Sequence, residues 1–482
     1  MLRSRVASVL SCVGCGLVLG GCRGGSGFSV VPASADQRQN VMVIDEGFDL
    51  SVSELRGKVA AAYTESCADE PMVGFDASGA ADTGIARDAA SASEDAGSAD
   101  AGVSFAEMKE QLLSALSVPD DQCQLGVGIS AKPDPFPSIA QYRARWNAMI
   151  RANEAPDQVL TATEIAALMA ALDSPELQVF PYHGTSTAGT VAHDNPNVRL
   201  VLIERELASA SQTSTMCFVQ SDIDQIVQLF SDPQVYAAYV NQPSEIEDEI
   251  SAAMTTYDVG LVNESFGASA REALEMLQIQ NNCPTAIDLS SYFSILSQAD
   301  LARAKTFGRP AVLTVQSAGN DGVEIDSGAD SLSCDIGDPL SLLVGSYDPG
   351  NQVRNTFSNF GACVDVYAPG QSVVAPYARD WLLFDDGTSF AAPMVVRTLS
   401  LSAPAPYAPA QARTALLALR GSDDSLPINL FPSDFFYAPD EAPTAALIAG
   451  APGRPRSPRP VSRIDLHRVL HPLSLLRALR GH

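Results

Sequence analysis

Short, wholly apolar runs alternate with stretches of helical periodicity along most of this chain, and that alternation leaves few folds open. Val41-Met42-Val43-Ile44, 199–204 (RLVLIE), 259–262 (VGLV), 311–316 (AVLTVQ) and 341–345 (SLLVG) read as strands. Their apolar residues follow one another without an alternating polar face, as in strands covered on both sides. Segments 223–240, 270–280, 292–305, 390–401 and 409–420 read as helices. Strand and helix in alternation call for a mainly parallel sheet, and right-handed crossovers place helices on both of its faces. The expected fold is therefore a three-layer α/β architecture over residues 41–420.

The flanks read differently. Arg3 and Arg5 precede an apolar stretch, Val6 to Leu19, that closes in Leu19-Gly20-Gly21-Cys22. This is the order of a secretory signal, and it is too short to span a bilayer as a helix. Leu-Gly-Gly-Cys resembles the lipobox of bacterial lipoproteins. The resemblance implies cleavage after residue 21, lipidation of the Cys22 thiol, a tether over 22–40, and an exported protein held on a bacterial membrane. Residues 421–482 form a Pro- and Arg-rich extension ending in a basic apolar segment; its last 32 residues hold seven Arg against one Asp.

Between the first strand and His183 lies a long insertion, at about 64–180. Residues 76–102 are Ala, Ser, Gly and Asp, too poor in large apolar side chains to pack. Residues 105–117 and 138–152 carry helical periodicity, and Thr161-Ala162-Thr163-Glu164 has the spacing of a capping box. The net charge of −27 becomes −29 without the two signal arginines, which argues against a nucleic-acid partner. Six of the nine cysteines lie beyond Cys22, an even number that permits three disulfides in an exported chain. Of these, Cys334 and Cys363 flank two adjoining apolar segments and are expected to pair. Among these six no C-x-x-C spacing suggests a metal centre.

Ser389, in Asp385-Asp386-Gly387-Thr388-Ser389-Phe390-Ala391-Ala392-Pro393, sits at the start of a small-residue helix. There it is either a cap or a nucleophile whose oxyanion would meet free N–H groups and the positive helix end. Of five histidines, three lie in the C-terminal extension. His183 opens a run of small residues, His183-Gly184-Thr185-Ser186-Thr187-Ala188-Gly189, that would let its helix approach neighbouring backbone, whereas His193 has the place of a C-terminal cap. Asp45 ends the first strand, at the edge where open parallel sheets place their sites; Asp49 is a nearby competitor. Asp45, His183 and Ser389 stand in one of the chain orders in which the Asp, His, Ser triad recurs.

The blocks VMVIDEGFD, HGTSTAGTVA, NESFG, QSAGNDG, FSNFGACVDVYAPG and DDGTSFAAP resemble, in order, the signature blocks of the subtilisin-like serine proteases, the subtilases. The resemblance implies a serine endopeptidase acting on protein or peptide substrates, with Ser389 as nucleophile, His183 as base and Asp45 as its orienter. It further implies Asn320 as the oxyanion side chain, and Ser265, Phe266 and Gly267 as the edge on which substrate lies as an added strand. No cofactor is required for such chemistry; calcium is common in the family, but no ligand loop is legible here. Two departures stand out. Glu46 follows the orienting Asp where the family usually has Ser or Thr, and Ser186 replaces a second histidine. The separation of 138 positions from Asp45 to His183 further requires that the insertion leave and re-enter the core at neighbouring points.

Overall fold

The computed structural model describes residues 38–67, 104–119, 123–152, 159–172, 182–205, 219–265, 287–306, 312–326, 334, 339–349, 353–402 and 408–418. The signal, Cys22, the 76–102 stretch, the 270–280 helix, Phe266, Gly267 and the C-terminal extension lie outside the described residues.

The central sheet is built from β1 (Gln39–Asp45), β2 (Val59–Cys67), β3 (Cys123–Val127), β4 (Val198–Glu204), β5 (Val259–Glu264), β6 (Leu313–Ser317), β7 (Ser341–Asp348), β8 (Val353–Arg354) and β9 (Val366–Pro369). Its order is β3-β2-β4-β1-β5-β6-β7, with both β8 and β9 on β7. The pairs from β2 through β7 to β9 are parallel; β3 and β8 join antiparallel at the margins. A separate antiparallel hairpin, β10 (Val373–Tyr377) and β11 (Trp381–Asp385), leads to the serine segment.

The helices are α1 (Phe105–Ala115), α2 (Arg143–Ala152), α3 (Ala162–Leu172), α4 (His183–Ala192), α5 (Gln220–Phe230), α6 (Pro233–Val240), α7 (Glu245–Thr256), α8 (Ser290–Thr306), α9 (Thr388–Ser402) and α10 (Pro409–Ala418). Side chains leave a strand on alternate faces, and β1 shows the consequence. Val41 and Val43 pack with α4 and α9, while Met42 and Ile44 pack with α7. The mainly parallel sheet with helices on both sides is the three-layer α/β arrangement read from the sequence.

The expected helix at 223–240 is two helices. Asp232 accepts bonds from the backbone N–H groups of Gln234 and Val235, and Pro233 occupies the first position of α6; a proline there starts a helix and cannot continue the preceding one. The strands β2, β3, β8, β9, β10 and β11 and helix α7 are not among the sequence expectations. Thr161 and Glu164 form the expected capping box at the start of α3. The insertion is interleaved with the core: β3 extends the main sheet, whereas α2 and α3 pack on the hairpin through Trp146, Met149, Leu168, Trp381 and Phe384. Cys334 and Cys363 are joined by a disulfide, with Cα atoms 5.2 Å apart.

Candidate active site

Asp45 ends β1 with its side chain fully buried, and a buried carboxylate must have its oxygens satisfied. Its Oδ1 lies 2.7 Å from His183 Nδ1 and also accepts from the Glu46 backbone N–H at 2.8 Å. Oδ2 accepts from the Thr187 hydroxyl at 2.8 Å. An ionised carboxylate only accepts, so these contacts put the imidazole proton on Nδ1 and leave Nε2 as the basic nitrogen. Thr187 was not picked out from sequence; it stands one helical turn beyond His183, on the face that reaches Asp45.

The competitor Asp49 is placed elsewhere. Its carboxylate accepts from the Ser51 and Arg379 backbone N–H groups, and its own N–H donates to Thr185 Oγ1.

Helix α4 meets the end of β1 at van der Waals limit. The Gly184 N–H donates to the Glu46 carbonyl at 2.6 Å, and Thr185 N–H to the Gly47 carbonyl at 3.2 Å. A Cβ on Gly184 would stand 2.7 Å from the Glu46 oxygen and 2.9 Å from the Phe48 ring, so this approach requires glycine. The same bonds bring the segment that follows Asp45 against the one that opens with His183. Ser186 donates to the Pro376 carbonyl at 2.9 Å, a structural use for the position of the second histidine.

Ser389 lies in the first turn of α9 and is 8% exposed. Its Oγ is 3.1 Å from the Ser265 carbonyl, while the Ser265 hydroxyl donates to the Ser389 carbonyl at 2.8 Å and accepts from Asn263 at 2.9 Å. Phe390 packs edge-on against the His183 ring, with centroids 5.8 Å apart, so α9 brings the serine and histidine segments together. Asn320 Oδ1 accepts from the Thr388 N–H at 2.8 Å and from its hydroxyl at 3.1 Å. Because a backbone N–H can only donate, these bonds fix the amide orientation. The amide nitrogen is then the end available to a ligand, beside the first-turn N–H groups of α9, which have no acceptor within the helix. A Cβ on Gly387 would sit 3.6 Å from the Ser389 nitrogen and 3.7 Å from Asn320 Oδ1, so the Asn320 amide and the Ser389 N–H border one small space.

Burial of the His183 ring pushes its pKa down, but the charge and hydrogen bond of Asp45, with the charges of Glu46 and Asp385, outweigh it and raise the pKa above the ordinary value. Burial, then the adjoining charge of Asp45, pushes Glu46 up to about 8. Among the described residues, no group of His, Cys, Asp and Glu is arranged to hold a metal ion, and no helix is long and apolar enough to cross a membrane.

A family model described as "Subtilase family" matches residues 37–418. The alkaline serine protease ver112 of Corniculantispora psalliotae is 30% identical over 155 residues, covering 31% of this chain and 35% of that protein. A subtilisin-like protease of Coccidioides posadasii (strain C735) is 37% identical over 118 residues, covering 23% and 28%. The chain thus spans about a third of the length of the curated relatives it matches. Among solved structures, a cold adapted subtilisin-like serine proteinase aligns with a TM-score of 0.35 and 15% identity over 82% of this chain and 89% of that one. The PatG macrocyclase in complex with peptide aligns at 0.33 and 14% over 75% of each chain.

Proposed function

The chain belongs to the subtilase family, and on that premise we propose that it is a serine endopeptidase working through an acyl-enzyme on Ser389, exported and anchored by lipid on Cys22. The observation that carries the catalytic part is the 2.7 Å contact between a fully buried Asp45 and His183 Nδ1. It leaves Nε2 to take the Ser389 proton as Oγ attacks the scissile carbonyl, and to return it to the leaving amine. Asp45 then stabilises the imidazolium through the same bond. The oxyanion of the tetrahedral intermediate is received by the Asn320 amide nitrogen and the Ser389 N–H, donors already oriented before substrate arrives. Every step is a proton transfer or an acyl transfer, so the proposed chemistry calls for no cofactor.

Peptide is the proposed substrate, lying as an added strand along the chain that leaves β5 at Ser265 toward Phe266 and Gly267. Backbone pairing there supplies affinity with little demand on sequence. The lipid anchor rests on the basic, apolar and Leu-Gly-Gly-Cys order at the N-terminus. The acidic balance favours protein substrates over nucleic acid.

The test is fluorophosphonate labelling of the purified chain with mass-spectrometric mapping. Label on Ser389 that disappears in Ser389→Ala and falls sharply in His183→Ala is expected. A folded protein that takes no label, or takes it elsewhere, would overturn the reading. The mass of the N-terminal peptide, with Cys22→Ala beside it, tests the anchor: an unmodified Cys22 removes that part alone.

A further inference from the structure

The turn between β10 and β11 is held in an unfavourable shape. Arg379 and Asp380 have φ of 55° and 61°, two consecutive non-glycine residues in the left-handed region, where the side chain crowds the backbone. Such a turn persists only when its surroundings over-determine it, and strain of this kind concentrates at working sites.

The surroundings are unusually complete, and they come from two directions. From the insertion, the Asn147 amide on α2 donates to the Asp380 carbonyl at 2.5 Å and accepts from the Leu382 N–H at 2.9 Å, bonding on either side of Trp381. Arg143, also on α2, donates to the Arg379 carbonyl, and the Trp146 indole donates to the Leu382 carbonyl at 2.7 Å. From the other side, the Arg379 N–H donates to Asp49 at 2.8 Å. Asp49 in turn donates its own N–H to Thr185 Oγ1 at 2.7 Å, and Thr185 is two residues beyond His183. Asn147, Asp49 and Thr185 are all buried. The turn is therefore joined by β11 to the Ser389 segment four residues past its end, and through Asp49 and Thr185 to the helix that carries His183.

We propose that Asn147 is a positioning residue for catalysis: from the inserted helix α2 it pins the left-handed Arg379–Asp380 turn, which holds the Ser389 and His183 segments in register. The proposal rests on the protease reading above. It gives the insertion a role in assembling the active site, one that compact chains without an insertion would have to fill by other contacts. The physical logic is that β11 alone does not fix where the Ser389 segment begins. A hairpin free to relax its turn shifts the start of α9, and a displacement of about 1 Å between reacting groups can cost on the order of 10²-fold in rate.

The test uses the full chain with Asn147→Ala, alone and combined with Arg379→Gly. Glycine occupies the left-handed region without crowding, so it should keep the turn in place when the amide clamp is gone, even though it gives up the Arg379 side-chain bonds to the Lys132 carbonyl. Asn147→Ala is expected to lower kcat about tenfold with KM within about twofold, at a temperature where circular dichroism shows it folded. Arg379→Gly in that background should restore most of the loss. Independently of activity, the low-field Nδ1 proton of His183 in ¹⁵N-histidine-labelled protein should be sharp in the parent, shifted or broadened in Asn147→Ala, and regained in the double variant. Unchanged kcat and an unchanged resonance in a folded Asn147→Ala overturn the proposal, as does a lowered Tm with neither readout moved. If the parent neither labels nor hydrolyses while the resonance still follows this pattern, the protease reading fails and the positioning role stands. Should Asn147→Ala not fold, Arg143→Met, which removes only one bond to the turn, is read by the same criteria with an expected loss of about threefold.

Discussion

The two faces of the central sheet are packed by different rules. On one, α4 and α9 lie on β1, β6 and β7 through Ala188, Val191, Ala391, Ala392 and Val395, with Gly184 and Gly189 at points where a Cβ would collide with neighbouring residues. Thr185, Ser186, Thr187 and Thr190 are buried there and all hydrogen-bonded. On the other face, α7 covers Met42, Ile44, Val201 and Val262 with Ile246, Ile250 and Met254. The first face uses small and hydroxylated residues because it must fix directions as well as exclude water; a hydroxyl bond specifies an orientation that an isoleucine contact does not. The second face needs only volume and apolar area, and cores of that kind tolerate exchange when volume is kept. Function and stability should therefore separate by face.

The largest effect expected of that separation is at Asn320. Asn320→Ala should lower kcat by on the order of 10²–10³ with little change in KM, because the donor acts only on charge that develops in the transition state. The same substitution leaves the Thr388 N–H and hydroxyl without their shared acceptor. Steady-state kinetics on a peptide substrate decide the matter; a rise in KM alone would place Asn320 on the substrate instead.

Across the sheet, Ile250→Ala should cost about 2–5 kcal/mol of stability, the usual range for a buried aliphatic truncation, and leave kcat untouched. Gly189→Ala provides the converse. Its new methyl would fall 2.0 Å from the Pro376 ring, and such overpacking costs about 1–3 kcal/mol. Yet it also pushes α4 from β10, whose Pro376 carbonyl Ser186 holds, so kcat should fall with it. Urea midpoints and kcat measured together on both variants test the distinction. Parallel losses of stability and rate in Ile250→Ala would abolish the contrast between the faces.

How much of this could be read from sequence follows the same division. Apolar runs announced the sheet, and the small-residue runs after His183 and Ser389 announced the two close-packed helices, because close approach restricts composition to residues that stand out. Helix α7 carries an equally clear signal: Ser244 caps its N-terminus, and Ile246, Ile250 and Met254 recur every four residues. Its acidic neighbours Glu245, Glu247, Asp248 and Glu249 mask that signal in the sequence. The hairpin β10–β11 was not legible, since its two strands are five residues each and its turn uses Arg379 and Asp380 where turn chemistry would call for glycine or asparagine. Asn147 was invisible for a different reason. A buried amide in the middle of a helix has no local signature, and its partners lie more than 230 residues away along the chain.

The smallest effect expected is at Glu46, where the two faces meet at the end of β1. Its carboxyl is pushed up to about 8 by burial and then by the charge of Asp45, and its own charge is one of those that raise the His183 pKa. The proposed catalysis requires neutral His183, and the rate should be lost as pH falls through its raised pKa. Glu46→Gln removes a lesser contributor than Asp45 and should therefore move that acid limb of kcat/KM only slightly, to lower pH. Stability behaves otherwise. Between the ordinary carboxylate value of 4.5 and about 8, the folded state keeps a proton that the unfolded chain has released, so stability declines as pH rises across this window. Glutamine does not titrate, and Glu46→Gln should be more stable than the parent at pH 8 to 9 by a few degrees in Tm, with the advantage fading toward pH 4.5. An acid limb that stays where it was in the variant would show that the Glu46 charge does not reach His183, and a Tm difference independent of pH would show that folding does not shift its carboxyl.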